Sequence, residues 1–273
     1  LQTQQFSDFE TIIIDDGSTD HTLKRVASFE HVRVLSQANA GQAAARNAGL
    51  NVASGRYVVF LDSDDTLFPW TLQVLHQLLE QTPATILMSR QYKFSDPAQL
   101  NNVAQTPLHV RSFPTYLASA PERLPVSISG VVRTDRMRAH GGFSSELRCS
   151  EEQDLYLRMG LEDTFIFVES PPLYAYRQRP QSVSRTMQVV AESVRQVIRR
   201  ERAQRYPGGA ALRHHRAIIF ARLVRYTISR CLQCGDRNNA LSLYCYGFPY
   251  LLQTGYYRDL ALYPTEILRM RRA

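Results

Sequence analysis

Short apolar runs alternate with helical patterns along the first two-thirds of the chain. Thr11-Ile12-Ile13-Ile14 reads as a buried strand stopped by the turn residues Asp15-Asp16-Gly17-Ser18. A helix is expected over 20–29 with Asp20 as its cap, then a strand over 32–35. The Ala-rich stretch 41–53 predicts a second helix, and Tyr57-Val58-Val59-Phe60-Leu61 a third strand ending in Asp62-Ser63-Asp64-Asp65. Pro69 near the first turn opens a helix to residue 81. Strands are expected near 84–89, 126–133 and 164–168, and a helix over 150–161. Beyond 188 the pattern is helical, with breaks expected at Pro207-Gly208-Gly209, Gly235-Asp236 and Pro249.

Strand-then-helix alternation predicts an α/β fold with a mostly parallel sheet flanked by helices, followed by a helical C-terminal region. The boundary is placed at 187/188. Charge sharpens that division. Residues 186–273 hold 15 basic and 5 acidic residues, while residues 1–185 hold 17 and 20. Only Lys24 and Lys93 are lysines, so the basic character is almost wholly arginine. Arg195, Arg199, Arg200 and Arg202 make one basic stretch, to which peripheral contact with an anionic membrane is one reading. Phe220, Leu223, Val224, Thr227 and Ile228 form an apolar stripe at helical spacing that reads as packing. No nucleic-acid partner is expected, because arginines and stacking aromatics do not interleave on a recognisable binding fold. No apolar run reaches the ~18–20 residues of a membrane-spanning helix. The start of the chain has neither the basic nor the apolar part of a signal peptide. Cys149, Cys231, Cys234 and Cys245 offer no paired zinc spacing and read as core or helix-face thiols of a reducing compartment. The expected location is therefore cytoplasmic.

Two acidic clusters, 15–20 and 62–65, follow apolar strands, and in open α/β sheets ligands bind beyond the carboxyl ends of strands. Helix capping accounts for Asp20 and for one of Asp64 or Asp65. It does not account for Asp62. Three carboxylates in four residues repel unless neutralised, and Mg²⁺ or Mn²⁺ with oxygen ligands is the natural counter-charge. A calcium loop starting at Asp62 fails, since Leu67 and Gln73 stand where Gly and Glu are needed. Neither the dinucleotide fingerprint nor the P-loop occurs.

Five blocks in order carry a resemblance: IIIDDGSTD (12–20), NAGQAAARNAGL (39–50), GRYVVFLDSDD (55–65), GGFSSEL with EEQDLYLRM (141–159), and YRQRPQSVSR (176–185). Together they resemble the family-2 inverting glycosyltransferases of the GT-A fold, over about residues 1–185. The resemblance implies a nucleotide-diphosphate sugar donor, UDP-linked as a rule, and a saccharide or lipid-linked acceptor in cell-surface polysaccharide synthesis. It implies that Asp16 meets the base, that Asp62 approaches ribose or diphosphate, and that Asp64 binds the metal. Arg46 would face the nucleotide; a surface arginine is the plain alternative. Glu152 would be the base that deprotonates the acceptor, where the family has Asp; a helix start enriched in acids is the alternative. Arg177, Arg179 and Ser182 would hold the diphosphate or order a loop over it. The family's opening strand has no counterpart here, which implies an N-terminally truncated domain. Two other readings stand beside it. One is a non-catalytic nucleotide-sugar-binding module. The other is a haloacid-dehalogenase-type phosphatase, with VVFLDSDDTL (58–67) as its motif and Lys93 as its lysine.

Overall fold

The computed structural model describes residues 1–122, 124, 130–178 and 186–269. The chain opens with β1 (Thr11–Asp15), α1 (Thr22–Val26), β2 (Val32–Ser36), α2 (Gln42–Val52) and β3 (Tyr57–Val59). There follow β4 (Thr66–Leu67), α3 (Thr71–Gln81), β5 (Ile86–Ser89), β6 (Gln91–Phe94) and β7 (His109–Thr115). Next come β8 (Gly130–Arg133), α4 (Thr134–Ala139), α5 (Glu151–Arg158), β9 (Asp163–Ser170) and β10 (Tyr174–Arg177). The remainder is helical: α6 (Met187–Arg202), α7 (Arg213–Gln233), α8 (Arg237–Gln253) and α9 (Tyr257–Arg269).

The expected α/β class with a helical C-terminal region is what the chain forms. Its pairing is more mixed than a mostly parallel sheet. A five-stranded sheet runs β3-β8-β5-β9-β7, a three-stranded one β4-β10-β6, and β1-β2 stand as a parallel pair. Among the described residues only β1·β2, β5·β9 and β6·β10 are parallel; β8 lies antiparallel between β3 and β5, and β7 antiparallel on β9. Among the described residues β1 pairs only with β2 and β3 only with β8, so the sheet is split between them. That split leaves Ile12, Ile13 and Ile14 half-buried, where the apolar run predicts full burial. Glu10 ties the two pieces at one end, accepting bonds from the backbone N–H groups of Ser54 (2.6 Å) and Gly55 (3.0 Å).

One apolar cluster extends from Leu50 and Leu155 through Phe165 to Val194, Phe220 and Ile267, so helices α6–α9 share a core with the sheet. Phe220, Val224, Thr227 and Ile228 are buried, as the packing reading of that stripe requires. Pro249 does not break the helical region. It sits inside α8, whose buried face of Leu243, Gly247, Tyr250 and Leu251 continues past it. Contact on that face outweighs one missing backbone hydrogen bond, and the turn comes later, at Gly255 with φ +75°. The basic stretch of α6 is largely internally paired: Glu192 holds Arg195 (2.8 Å) and Arg199 (2.9 Å), and Asp154 holds Arg200 (2.7 Å).

Helix α8 lies close on α7 because Gly247 has no side chain. A Cβ there would meet Val224 Cγ1 at 2.4 Å and its Cβ at 3.0 Å, and Val224 is fully buried. Gly247→Leu is expected to lower stability by about 1–3 kcal/mol through overpacking, read as a lower urea midpoint at unchanged slope.

Candidate functional site

The DSDD loop leaves the end of β3 and is closed by its own third carboxylate. Asp65 Oδ1 accepts the backbone N–H of Arg177 at 2.9 Å, and the Asp65 N–H donates to Asp62 O at 3.0 Å. The loop is thereby fixed to the end of β10. Burial pushes the Asp65 carboxyl up to about 6, with Asp62 and Asp64 adding to it and the Arg177 N–H opposing.

Arg46 on α2 is the centre of the arrangement. Its side chain is 9% exposed, which rules out the surface-arginine reading. Nη2 donates to Asp62 Oδ1 at 2.8 Å and Nη1 to Glu151 Oε1 at 2.7 Å, and Nη1 lies 3.7 Å from Glu152 Oε1. Its guanidinium lies 5.4 Å from the centroid of the Phe143 ring, which meets Phe60 edge-on at 5.0 Å. Asn47, one residue on, bonds both the N–H and the carbonyl of Phe143 at 2.8 Å. The chain at Gly142 must be bare for this, since a Cβ there would come within 2.4 Å of Asn47 Oδ1. Three of the sequence blocks, 39–50, 55–65 and 141–159, thus converge on one cation.

The acids of α5 divide into different environments. Glu151 is fully buried; Oε1 takes Arg46 and the Gln42 side-chain amide, and Oε2 has no hydrogen-bond partner. Glu152 keeps 24% of its side chain exposed. Burial first and then the neighbouring Glu151 charge push its carboxyl up to about 7, against the pull of Arg46. Asp154 is fully buried and structural in its contacts: Arg158 (2.8 Å), Arg200 (2.7 Å) and the Tyr206 hydroxyl (2.8 Å) all donate to it. A cavity of about 430 Å³ opens beside it, lined by Asn47, Phe143, Glu146, Arg200 and Tyr206 among others.

Asp16 lies apart from that cluster. Its carboxylate accepts from Ala40 N (2.9 Å), Gln37 Nε2 (2.8 Å) and Gly41 N (2.8 Å), so it braces the loop entering α2. The Ala40 N–H first, then Gln37 and Gly41, hold it below the usual carboxylate range. Asp64 sits half-buried in the DSDD loop. Arg179 and Ser182 lie outside the described residues. The carboxylates of the DSDD loop suit a hard divalent cation by their donor chemistry. Among the described residues no three His, Cys, Asp or Glu side chains converge on one.

Sequence reasoning singled out Asp62, Arg46 and Glu152, and the structure brings these three together. It missed Glu151 as the buried partner of Arg46, Asp65 as the anchor of Arg177, and Asp154 as the joint between α5 and α6. The signal for Asp154 was its i,i+4 spacing to Arg158.

Residues 1–136 match the family model described as "Glycosyl transferase family 2", and the chain belongs to that family. The uncharacterized glycosyltransferase YibD of Escherichia coli is 46% identical over 79 residues, 28% of this chain and 23% of the relative. The chain thus spans only about a quarter of that relative's length. Among solved structures, Staphylococcus aureus TarS 1–349 in complex with UDP-GlcNAc superposes with a TM-score of 0.62 at 17% identity, covering 94% of this chain and 85% of that one. The mannosyltransferase PcManGT from Pyrobaculum calidifontis, in complex with GDP-Man and Mn²⁺, gives 0.54 at 16% identity, covering 99% and 81%. At these identities the two structures establish a shared fold.

Arg46→Ala would strand Glu151 and Asp62 without their cation. A loss of roughly 3–5 kcal/mol in urea unfolding is expected, as for a broken buried pair. Arg46→Lys should recover only part, because one ammonium does not bridge two carboxylates as a planar fork does.

Proposed function

We propose that this chain transfers a sugar, with inversion, from a nucleotide-diphosphate donor to a hydroxyl of a saccharide or lipid-linked acceptor, in the synthesis of cell-surface polysaccharide. The observation that carries the reading is the Arg46 cluster, which places the DSDD loop and the start of α5 within one salt-bridged unit. A UDP-linked donor is favoured by the UDP-GlcNAc that the TarS complex holds.

In this reading Glu152 takes the proton of the acceptor hydroxyl while that oxygen bonds to the anomeric carbon and the bond to the diphosphate breaks. Asp64, with Asp62 beside it, would hold Mg²⁺ or Mn²⁺. When bound, the cation stabilises the leaving charge. The Mn²⁺ and GDP-Man of the PcManGT complex support a divalent ion for this role. Asp16 serves the base pocket by fixing the loop it braces, and Arg179 and Ser182 meet the diphosphate. Arg46 fixes the position of Asp62 and opposes the protonation of Glu152, and it faces the nucleotide.

Glu152→Gln is expected to abolish transfer and leave nucleotide binding nearly unchanged, with Glu152→Asp active; radiolabelled-sugar transfer and calorimetric titration separate the two effects. Parent-rate turnover by Glu152→Gln would remove it as the base. A base must be ionised to act, so with its carboxyl near 7 the transfer rate should climb as pH rises through about 7. In Arg46→Gln the attracting cation is gone, and that limb should move to higher pH. Asp64→Ala should lose the Mg²⁺ or Mn²⁺ dependence of nucleotide binding; equal affinity with chelator present in the parent would exclude the metal role.

A further inference from the structure

Helix α8 has two apolar faces, and among the described residues only one of them is buried. Between Asn238 and Gln253 it carries no charged residue. Ala240, Leu243, Gly247, Tyr250 and Leu251 are buried against the neighbouring helices. On the opposite side Leu241 (49% exposed), Cys245, Phe248 (41%) and Leu252 (49%) follow one another at spacings of four, three and four, which puts them on a single stripe. The first turn of α9 adds Tyr257, 65% exposed, and the exposed Arg258. A soluble helix ordinarily turns polar residues outward, so a continuous outward apolar stripe marks a contact surface.

What flanks the stripe selects its occupant. Along one side of α8 run the arginines of α6: Arg195 bonds Asn239 and Ser242 (3.0 and 3.2 Å), Arg199 bonds the Tyr246 hydroxyl (3.3 Å), and Arg202 bonds the Tyr246 carbonyl (3.0 Å). The guanidiniums of Arg199 and Arg202 lie 5.7 and 5.0 Å from the Tyr246 ring centroid. Arg237 stands at the start of the helix. Over 186–269 there are 13 arginines and 5 acidic residues. A second copy would bring the same positive surface against this one. An anionic lipid surface supplies the opposite charge together with an apolar layer for the stripe. The geometry points to docking of the outward face of α8 on the surface of an anionic bilayer, with Leu241, Phe248 and Leu252 entering the acyl boundary and Arg199, Arg202 and Arg258 at the headgroups. This stands apart from the transferase reading and from the basic stretch alone, since the apolar face is what makes contact.

The test is flotation of the whole chain with vesicles of phosphatidylcholine, with and without phosphatidylglycerol. The chain should float with the anionic vesicles and not with the neutral ones. Phe248→Ser is expected to weaken that partition about tenfold, the scale of removing one large apolar side chain from a buried position. Arg199→Glu with Arg202→Glu should also weaken it, and added salt should do so partially. All three residues are exposed or half-exposed, and a thermal melt by circular dichroism confirms that the variants stay folded. Failure to float with anionic vesicles overturns the proposal. So does flotation that Phe248→Ser leaves unchanged, which would make the attraction a matter of net charge. Sedimentation showing a dimer that Phe248→Ser disperses would assign the stripe to a second copy and overturn it equally.

Discussion

The cation of Arg46 is the constraint on which the arrangement of this chain depends. A guanidinium with a 9% exposed side chain is tolerable only where carboxylates and an aromatic face take the place of water, and Asp62, Glu151 and the Phe143 ring do so. Each partner comes from a different segment: the loop after β3, the start of α5, and the glycine-rich turn before it. Once those carboxylates are committed to one cation, the loop and the helix are no longer free to separate. Asn47 repeats the same connection in backbone hydrogen bonds one residue along α2.

A second polar joint extends this order into the helical region. Asp154 is three residues beyond Glu151 on α5, yet it receives Arg200 of α6 and Tyr206 of the connection that follows. The helix that carries Glu152 is therefore held by two arginines, Arg46 of α2 and Arg200 of α6, through acids one turn apart. Apolar packing alone would let α5 slide along its neighbours, whereas charge-assisted hydrogen bonds have a preferred geometry and fix its register. The shared core that runs from Leu50 to Ile267 gives these bonds a dry setting.

Much of this was legible from residue pattern, because the pattern is set by local physics. The apolar runs before Asp15 and Asp62, the Ala-rich α2, and the Pro69 and Gly235 punctuation each mark an element without reference to anything distant. Strand direction was not legible: β8 sits between β3 and β5 and runs against both, and nothing in Gly130–Arg133 announces its neighbours. The half-burial of Ile12–Ile14 is likewise a fact about which strands lie alongside, and apolar composition is silent on that. Pro249 misled because a local rule was opposed by packing on α7. The partner of Arg46 was missed for a related reason: two adjacent glutamates look alike in a sequence, and only the direction of the helix face decides which is buried and which remains in contact with solvent.

That difference between adjacent acids has a consequence for proton accounting. With Glu152 pushed up to about 7 and Asp65 to about 6, Glu152 keeps a large share of its proton near neutrality and Asp65 a small one, where ordinary carboxylates would have released theirs. Any cationic ligand that settles among these acids draws those pKa values down and expels protons into the buffer. Occupancy of the site is then coupled to the proton balance of its surroundings. The heat of binding would carry the buffer's own ionisation enthalpy, and its dependence on the choice of buffer would count the protons that Arg46 alone does not displace.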